Sequence, residues 1–228
     1  MTGPRHDLWV FGYGSLMWRP GFDPLEAVRA RLTGYSRRLC VTSVHHRGSA
    51  LRPGLVLGLD RGGVCQGVAY RVAAADAAGV LAYLRAREQV NGVYREAFVP
   101  IEIEGERHEI VQAVTYLVER AHPSYSGRLP LVIQARIIRG ARGLSGVNVD
   151  YVINTLAHMA AMGIRERELE RLLVVLGAFF SRDDGEGFVS ARAEVLRRAS
   201  VGSGLLSGYQ RRMRPEQRRR FVYRQKIS

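Results

Sequence analysis

Val10-Phe11-Gly12-Tyr13-Gly14-Ser15-Leu16-Met17-Trp18-Arg19-Pro20 is an apolar strand that breaks, close to the start of the chain, into a glycine-flanked loop. Trp9, Val10 and Phe11 read as a short buried strand. Gly12 and Gly14 permit backbone angles and close approaches that a Cβ resists, so several N–H groups can face one ligand. Successive amides of this kind make a concave site for a carboxylate or an oxyanion, with the Ser15 hydroxyl beside it. Taken as a generic Gly-x-Gly, the same pattern is a tight turn between two core segments.

Downstream of the loop, residues 39–44 read as a strand with Arg37 and Arg38 just before it, and residues 55–59 as a short apolar strand. Asp60-Arg61-Gly62-Gly63 reads as a turn, followed by the period-two alternation of Val64, Gln66, Val68, Tyr70 and Val72, which predicts one arm of a hairpin. Asp76 is a candidate N-cap for a helix through Val80, Leu81 and Leu84 to about Arg87, and Glu88 falls near its end. Asn91-Gly92 stops that helix, after which residues 94–103 and 111–118 read as strands. From Leu131 onward helical spacing takes over: one helix to Arg139, a second from an Asn148 cap to Met162 and Gly163, a third from Arg165 to about Phe179. The pattern predicts a mixed α/β chain, with a small, bent or barrel-like, mainly antiparallel sheet and helices packed around it.

With 228 residues and 46% hydrophobic composition, the chain is expected to form one substantial core. No run approaches the ~18 apolar residues of a membrane span, and the N-terminus lacks the order of a signal peptide, so the expected compartment is the cytoplasm. Cys40 and Cys65 fall in β-like apolar segments and read as reduced, buried thiols. Residues 1–7 are polar and expected to be mobile.

The net charge is +13, but it is unevenly spread. Residues 211–228 hold eight basic side chains against the single acid Glu216, a local +7. After Phe180 the composition turns polar, then Gly/Ser-rich and basic, which divides the chain into a domain over 8–180 and a basic extension over 181–228. The extension suits an anionic partner, and an electropositive body also suits an acidic small substrate. His45 and His46 are adjacent and on a strand would point to opposite faces, so they cannot share a metal. No Ser-His-Asp set, phosphate loop or dinucleotide fingerprint is present.

The string from Val10 to Phe22 resembles the opening of the ChaC-like γ-glutamylcyclotransferases, V-F-G-Y-G-S-L-x-W-x-P-x-F. Further family-like segments follow in family order: Gly34-Tyr35-Ser36-Arg37-Arg38, His46-Arg47-Gly48, residues 53–59, residues 67–72, Arg87-Glu88 with Gly92 and Tyr94, and residues 143–151. Together they cover residues 8–178. The resemblance implies the γ-glutamylcyclotransferase-like fold and cleavage of glutathione to 5-oxoproline and Cys-Gly, with neither cofactor nor metal. It implies Glu88 as the catalytic carboxylate in an R-E-x-x-x-G-x-Y context. Val93 departs from that context, because relatives often carry a second glycine there. It also implies that Val10, Phe11, Gly12, Tyr13, Gly14, Ser15 and Leu16 bind the substrate, and that Tyr125 closes over it. Arg37 and Arg38 suit the glycyl carboxylate by bidentate pairing. Two other readings remain at this point: a cyclotransferase for γ-glutamyl amines or amino acids, and a basic nucleic-acid-associated binding module.

Overall fold

A computed structural model describes residues 6–105 and 108–180 of the chain. The short amphipathic segment, the Gly/Ser stretch and the basic tail expected after Phe180 lie outside the described residues. What is described divides into two compact units: the residues up to Arg37 with Gly58–His122, and Arg38–Leu57 with the residues from Pro123 onward.

The first unit is built on a closed barrel in the order β1-β3-β2-β4-β5. Its strands are β1 (Leu8–Gly12), β2 (Glu26–Ser43), β3 (Gly54–Val72), β4 (Tyr94–Ile103) and β5 (Ile110–Val118), with helix α1 (Ala77–Glu88) between β3 and β4. β1 pairs antiparallel with β3, Val10 opposite Tyr70 and Phe11 opposite Ala69. Its other edge pairs parallel with β5, Val10 opposite Val114, and this is the pairing that closes the barrel. β4 and β5 form an unbroken antiparallel ladder from Tyr94↔Val118 to Glu102↔Ile110. Val10, Phe11, Leu32, Leu59, Tyr70, Ile101 and Val114 are fully buried in this unit. The mixed α/β class and the barrel-like, mainly antiparallel sheet expected from the sequence are those of the molecule.

Two strand boundaries differ from the sequence reading. Asp60-Arg61-Gly62-Gly63 is not a hairpin turn, because β3 continues through it from Gly54 to Val72. Gly62 and Gly63 take φ of +95° and +88° within the strand, which bends it instead of reversing it. Asp60 is buried there and accepts from the Arg61 amide at 2.8 Å and from Arg120 Nε at 2.7 Å, so its carboxylate is used inside the sheet. β2 likewise begins at Glu26, well before residue 39, and takes in Arg37 and Arg38. Its first half hides its period because the buried Glu26, Ala27, Ala30 and Leu32 do not alternate strictly and include small and polar residues, while the exposed Arg29 and Arg31 pair with Glu104 and Glu102. Asp7, expected to be mobile, is fixed by Arg71 at 2.6 Å and the Ala74 amide at 3.1 Å.

The second unit holds α2 (Leu131–Gly140), a minimal hairpin of β6 (Arg142–Gly143) and β7 (Gly146–Val147), α3 (Asn148–Ala161) and α4 (Arg167–Phe180). The three expected helices are present. Asn148 does not cap α3: Val147 holds the cap position, and no side-chain cap bond forms. The Asn148 amide instead reads the backbone of Leu55, accepting its N–H at 2.7 Å and donating to its carbonyl at 2.8 Å. That reciprocal pair imitates a strand neighbour and leaves Asn148 fully buried. Tyr151, one turn later, accepts from the Leu57 amide at 3.2 Å. Among the described residues no helix is long and apolar enough to cross a membrane, and Cys40 and Cys65 are buried free thiols.

Asn148→Ala is expected to strand a buried N–H and a buried carbonyl together, at a cost of roughly 2–4 kcal/mol. Urea denaturation of the two proteins measures it; an unchanged midpoint would show that the Leu55 backbone finds other partners.

Candidate active site

The loop after β1 winds at once into a single 3-10 turn, Ser15–Met17. Neither Gly12 nor Gly14 takes a positive φ, contrary to the angular freedom expected of them. Gly12 is required for space: a Cβ there would stand 3.1 Å from Leu16 Cβ and 3.3 Å from the Met17 nitrogen. Val10 and Phe11 are fully buried, and Tyr13 and Leu16 nearly so, whereas Ser15 is exposed. The first two set the turn on the barrel.

The carbonyl oxygens of this segment are tied down one after another. Thr115 Oγ1 donates to Phe11 O at 2.9 Å and Arg37 Nε to Tyr13 O at 2.5 Å. Met17 N reaches Gly14 O at 2.9 Å, and Arg19 N reaches Ser15 O at 2.9 Å. The Tyr70 hydroxyl meets Leu16 O at 3.0 Å and Met17 O at 2.6 Å. In a trans peptide the carbonyl and the next N–H point in opposite directions. Anchoring Tyr13 O, Gly14 O and Ser15 O therefore turns the amides of Gly14, Ser15 and Leu16 away from the anchors. The Ser15 and Leu16 amides also precede the first bond of the turn, which Met17 donates, so they have no acceptor within it. This is the arrangement that holds an anionic oxygen.

Glu88 is the last residue of α1, a helix buried through Ala77, Val80 and Leu84. Asp76 occupies its N-cap position without a side-chain bond. The Glu88 side chain is 18% exposed, and Arg87 Nε lies 3.1 Å from its Oε1. Burial pushes the Glu88 carboxyl above the ordinary carboxylate range, and the Arg87 charge opposes the shift without cancelling it. The turn beyond the helix is made by Gly92 at φ +73°, and Val93, the departure from the family pattern, is buried at 1% exposure.

A second carboxylate stands near by in a different state. Glu96 accepts from Arg85 Nε at 2.8 Å and Nη2 at 2.7 Å, which holds it below the usual range. Tyr116, directly opposite Glu96 in the β4–β5 register, donates its hydroxyl to Glu96 Oε2 at 3.2 Å. Burial, then the charge of Glu96, raises the Tyr116 phenol, and Glu88 adds to the same effect. Glu88 and Glu96 are thus shifted in opposite directions, the first up by burial and the second down by its hydrogen bonds to Arg85.

Arg37 is 3% exposed, and its guanidinium meets Tyr13 O, Gln66 O at 2.6 Å and Met17 Sδ at 3.7 Å. Thr115, Tyr70 and Arg87 were not singled out in the sequence as anchors of the loop. Hydroxyls at buried positions of apolar strands are the signal that marks Thr115 and Tyr70, since a buried polar group needs a partner. In the second unit, Arg38 pairs with Glu168 at 3.3 Å. Tyr125 is half-buried and bridges the backbone of Val41, between Ser124 O, which accepts from Thr42 N, and Ser126 N, which donates to Cys40 O, both at 2.8 Å. His45 and His46 lie in a bend, not on a strand, and His46 Nδ1 is 3.1 Å from Ser145 Oγ. Among the described residues no group of three or more His, Cys, Asp or Glu is placed to hold a metal ion.

The ChaC-like protein family model matches residues 8–178. The chain is 30% identical over 180 residues to the glutathione-specific gamma-glutamylcyclotransferase of Escherichia coli (strain K12), covering 79% of this chain and 77% of that one. It is 35% identical over 182 residues to glutathione-specific gamma-glutamylcyclotransferase 1 of Homo sapiens, covering 77% and 82%. Among solved structures, the gamma-glutamyl cyclotransferase specific to glutathione from yeast is similar with a TM-score of 0.68 at 22% identity, over 77% of this chain and 97% of that one, a likeness of fold. With the family pattern matched across the barrel and the helices alike, the chain belongs to the ChaC-like family.

Proposed function

We propose that this chain degrades glutathione as a γ-glutamylcyclotransferase, with Glu88 as the proton-transfer group and the Gly12–Leu16 turn as the cradle for substrate oxygens. The observation that carries the reading is a largely buried carboxylate at the end of α1 joined through Arg87 to that turn: the guanidinium meets Glu88 Oε1 and Ser15 Oγ at once. Relatives named glutathione-specific support glutathione over other γ-glutamyl compounds. A nucleic-acid-binding module has no use for a desolvated carboxylate facing an amide turn.

The α-amino nitrogen of the γ-glutamyl group attacks its own γ-carbonyl carbon. A five-membered lactam forms, the amide bond to cysteine breaks, and 5-oxoproline and Cys-Gly leave. From the ammonium form the attacking nitrogen gives up two protons and the departing nitrogen gains two, so the reaction balances without water or a redox partner. The substrate must be held folded, with nitrogen and carbonyl near contact. It must also lose an ammonium proton, and a carboxylate whose proton affinity is raised by burial both takes that proton and gives it back to the leaving nitrogen. The amides of Gly14, Ser15 and Leu16 meet the α-carboxylate or the γ-oxygen as it gains charge; losing one such donor typically costs about 3 kcal/mol of barrier. Arg37 acts through the loop it anchors. Cys40 and Cys65, which form no disulfide, suit the cytoplasm, where thiols stay reduced. The basic stretch 211–228 is assigned to an anionic partner outside this chemistry, so its deletion is expected to leave turnover within a few-fold.

Glu88→Gln is expected to lower turnover of glutathione at least 100-fold while glutathione still binds, because the swap keeps shape and deletes only the titrating group. Release of 5-oxoproline at a near wild-type rate would remove Glu88 from the mechanism. Stability gives a second readout. A raised native pKa means that the contribution of Glu88 to stability, full below the ordinary carboxylate value, is lost as pH rises through the native value. Thermal unfolding of wild type should therefore weaken relative to Glu88→Gln across that window, and parallel pH profiles would contradict the buried carboxyl.

A further inference from the structure

We propose that Arg87 is a positioning residue whose single guanidinium fixes the substrate turn and the Glu88 carboxylate in one rigid relation; this rests on the reading of Glu88 given above. Arg87 uses every nitrogen of its fork. Nε faces Glu88 Oε1 at 3.1 Å, Nη2 donates to Ser15 Oγ at 2.9 Å, and Nη1 donates to Arg19 O at 2.6 Å and to Tyr83 Oη at 3.0 Å. A weaker contact reaches Pro20 O at 3.4 Å. The other donors to the loop, Thr115, Arg37 and Tyr70, fix it to strands of the barrel. Arg87 fixes it to the helix that carries Glu88, and so is the piece that sets the distance between oxygen cradle and proton carrier. A planar, five-donor group does this where an ammonium cannot, because three directions must be satisfied from one rigid centre. Tyr83, four residues back on α1, braces the stem, and its hydroxyl lies where a Cβ on Gly21 would fall, so the end of the turn and the helix are in van der Waals contact.

The charge and the fork of Arg87 are separable in experiment. The groups around Glu88 that bear on its titration are Arg87 on its own helix and Tyr116 on β5, with Glu96 on β4 and Arg85 on α1 behind Tyr116. Only Arg87 draws the Glu88 proton off. In Arg87→Met both functions go: kcat/KM for glutathione should fall roughly 10- to 100-fold, KM should rise, and the Glu88 carboxyl, followed by carbon-13 NMR in the free enzyme and identified by its loss in Glu88→Gln, should titrate at higher pH. In Arg87→Lys the charge stays and the fork goes: the titration should return toward wild type while KM stays raised. A part played merely in folding would lower stability in both variants and leave the titration where it was. If the methionine variant does not fold, the lysine variant alone decides, through its raised KM. Unchanged KM in Arg87→Lys, or an unmoved Glu88 titration in Arg87→Met, overturns the proposal. The NMR arm does not depend on turnover, so it still reads the Arg87–Glu88 link if Glu88→Gln proves active.

Discussion

The direction of three peptide planes governs this molecule. Tyr13 O, Gly14 O and Ser15 O are each claimed by a donor, from Arg37, Met17 and Arg19 in turn, and the trans geometry of the chain then aims the following amides the other way. The donors grip the carbonyls and so point the amides. The barrel does so from behind, through Thr115 on β5, Tyr70 on β3 and Arg37 on β2, so three strands distant in sequence converge on the Phe11–Met17 segment. Barrel closure and loop geometry are therefore one requirement: Thr115 can reach Phe11 because β1 pairs with β5.

Next to this fixed turn the two carboxylates illustrate how environment divides identical chemistry. Glu96 meets both arms of Arg85 and a phenol, and it is kept anionic. Glu88 meets one nitrogen of an arginine already committed to four other oxygens, and burial outweighs that single contact. Desolvation is what leaves Glu88 with a raised proton affinity despite a neighbouring cation.

The sequence was informative where local pattern and tertiary role coincide. The apolar run into the first loop, the alternation through Val68, Tyr70 and Val72, and the helical spacing of Val80 and Leu84 are read directly from residue order, and they locate the barrel, α1 and the end of that helix where Glu88 sits. It misled where one residue type serves two ends. Gly62-Gly63 signals a reversal by composition, yet the same positive φ angles bend a continuous strand, and only pairing partners far along the chain decide between the two. Asn148 has the composition of a cap, but its amide is taken by the backbone of Leu55. Arg87 was visible as a motif member and illegible as a link, because its partners are the side chain and carbonyls of a segment some seventy residues earlier.

The set of groups that grips the first loop has a further property. Its donors are guanidinium, hydroxyl and peptide N–H, and its acceptors, Ser15 Oγ and Met17 Sδ apart, are backbone carbonyls. No carboxylic acid and no imidazole takes part, so none of these bonds gains or loses a proton across mildly acidic to neutral conditions. Mild acidification therefore leaves these bonds as they are, while Glu88 beside them, at the end of α1, holds a proton more tightly than an ordinary carboxyl.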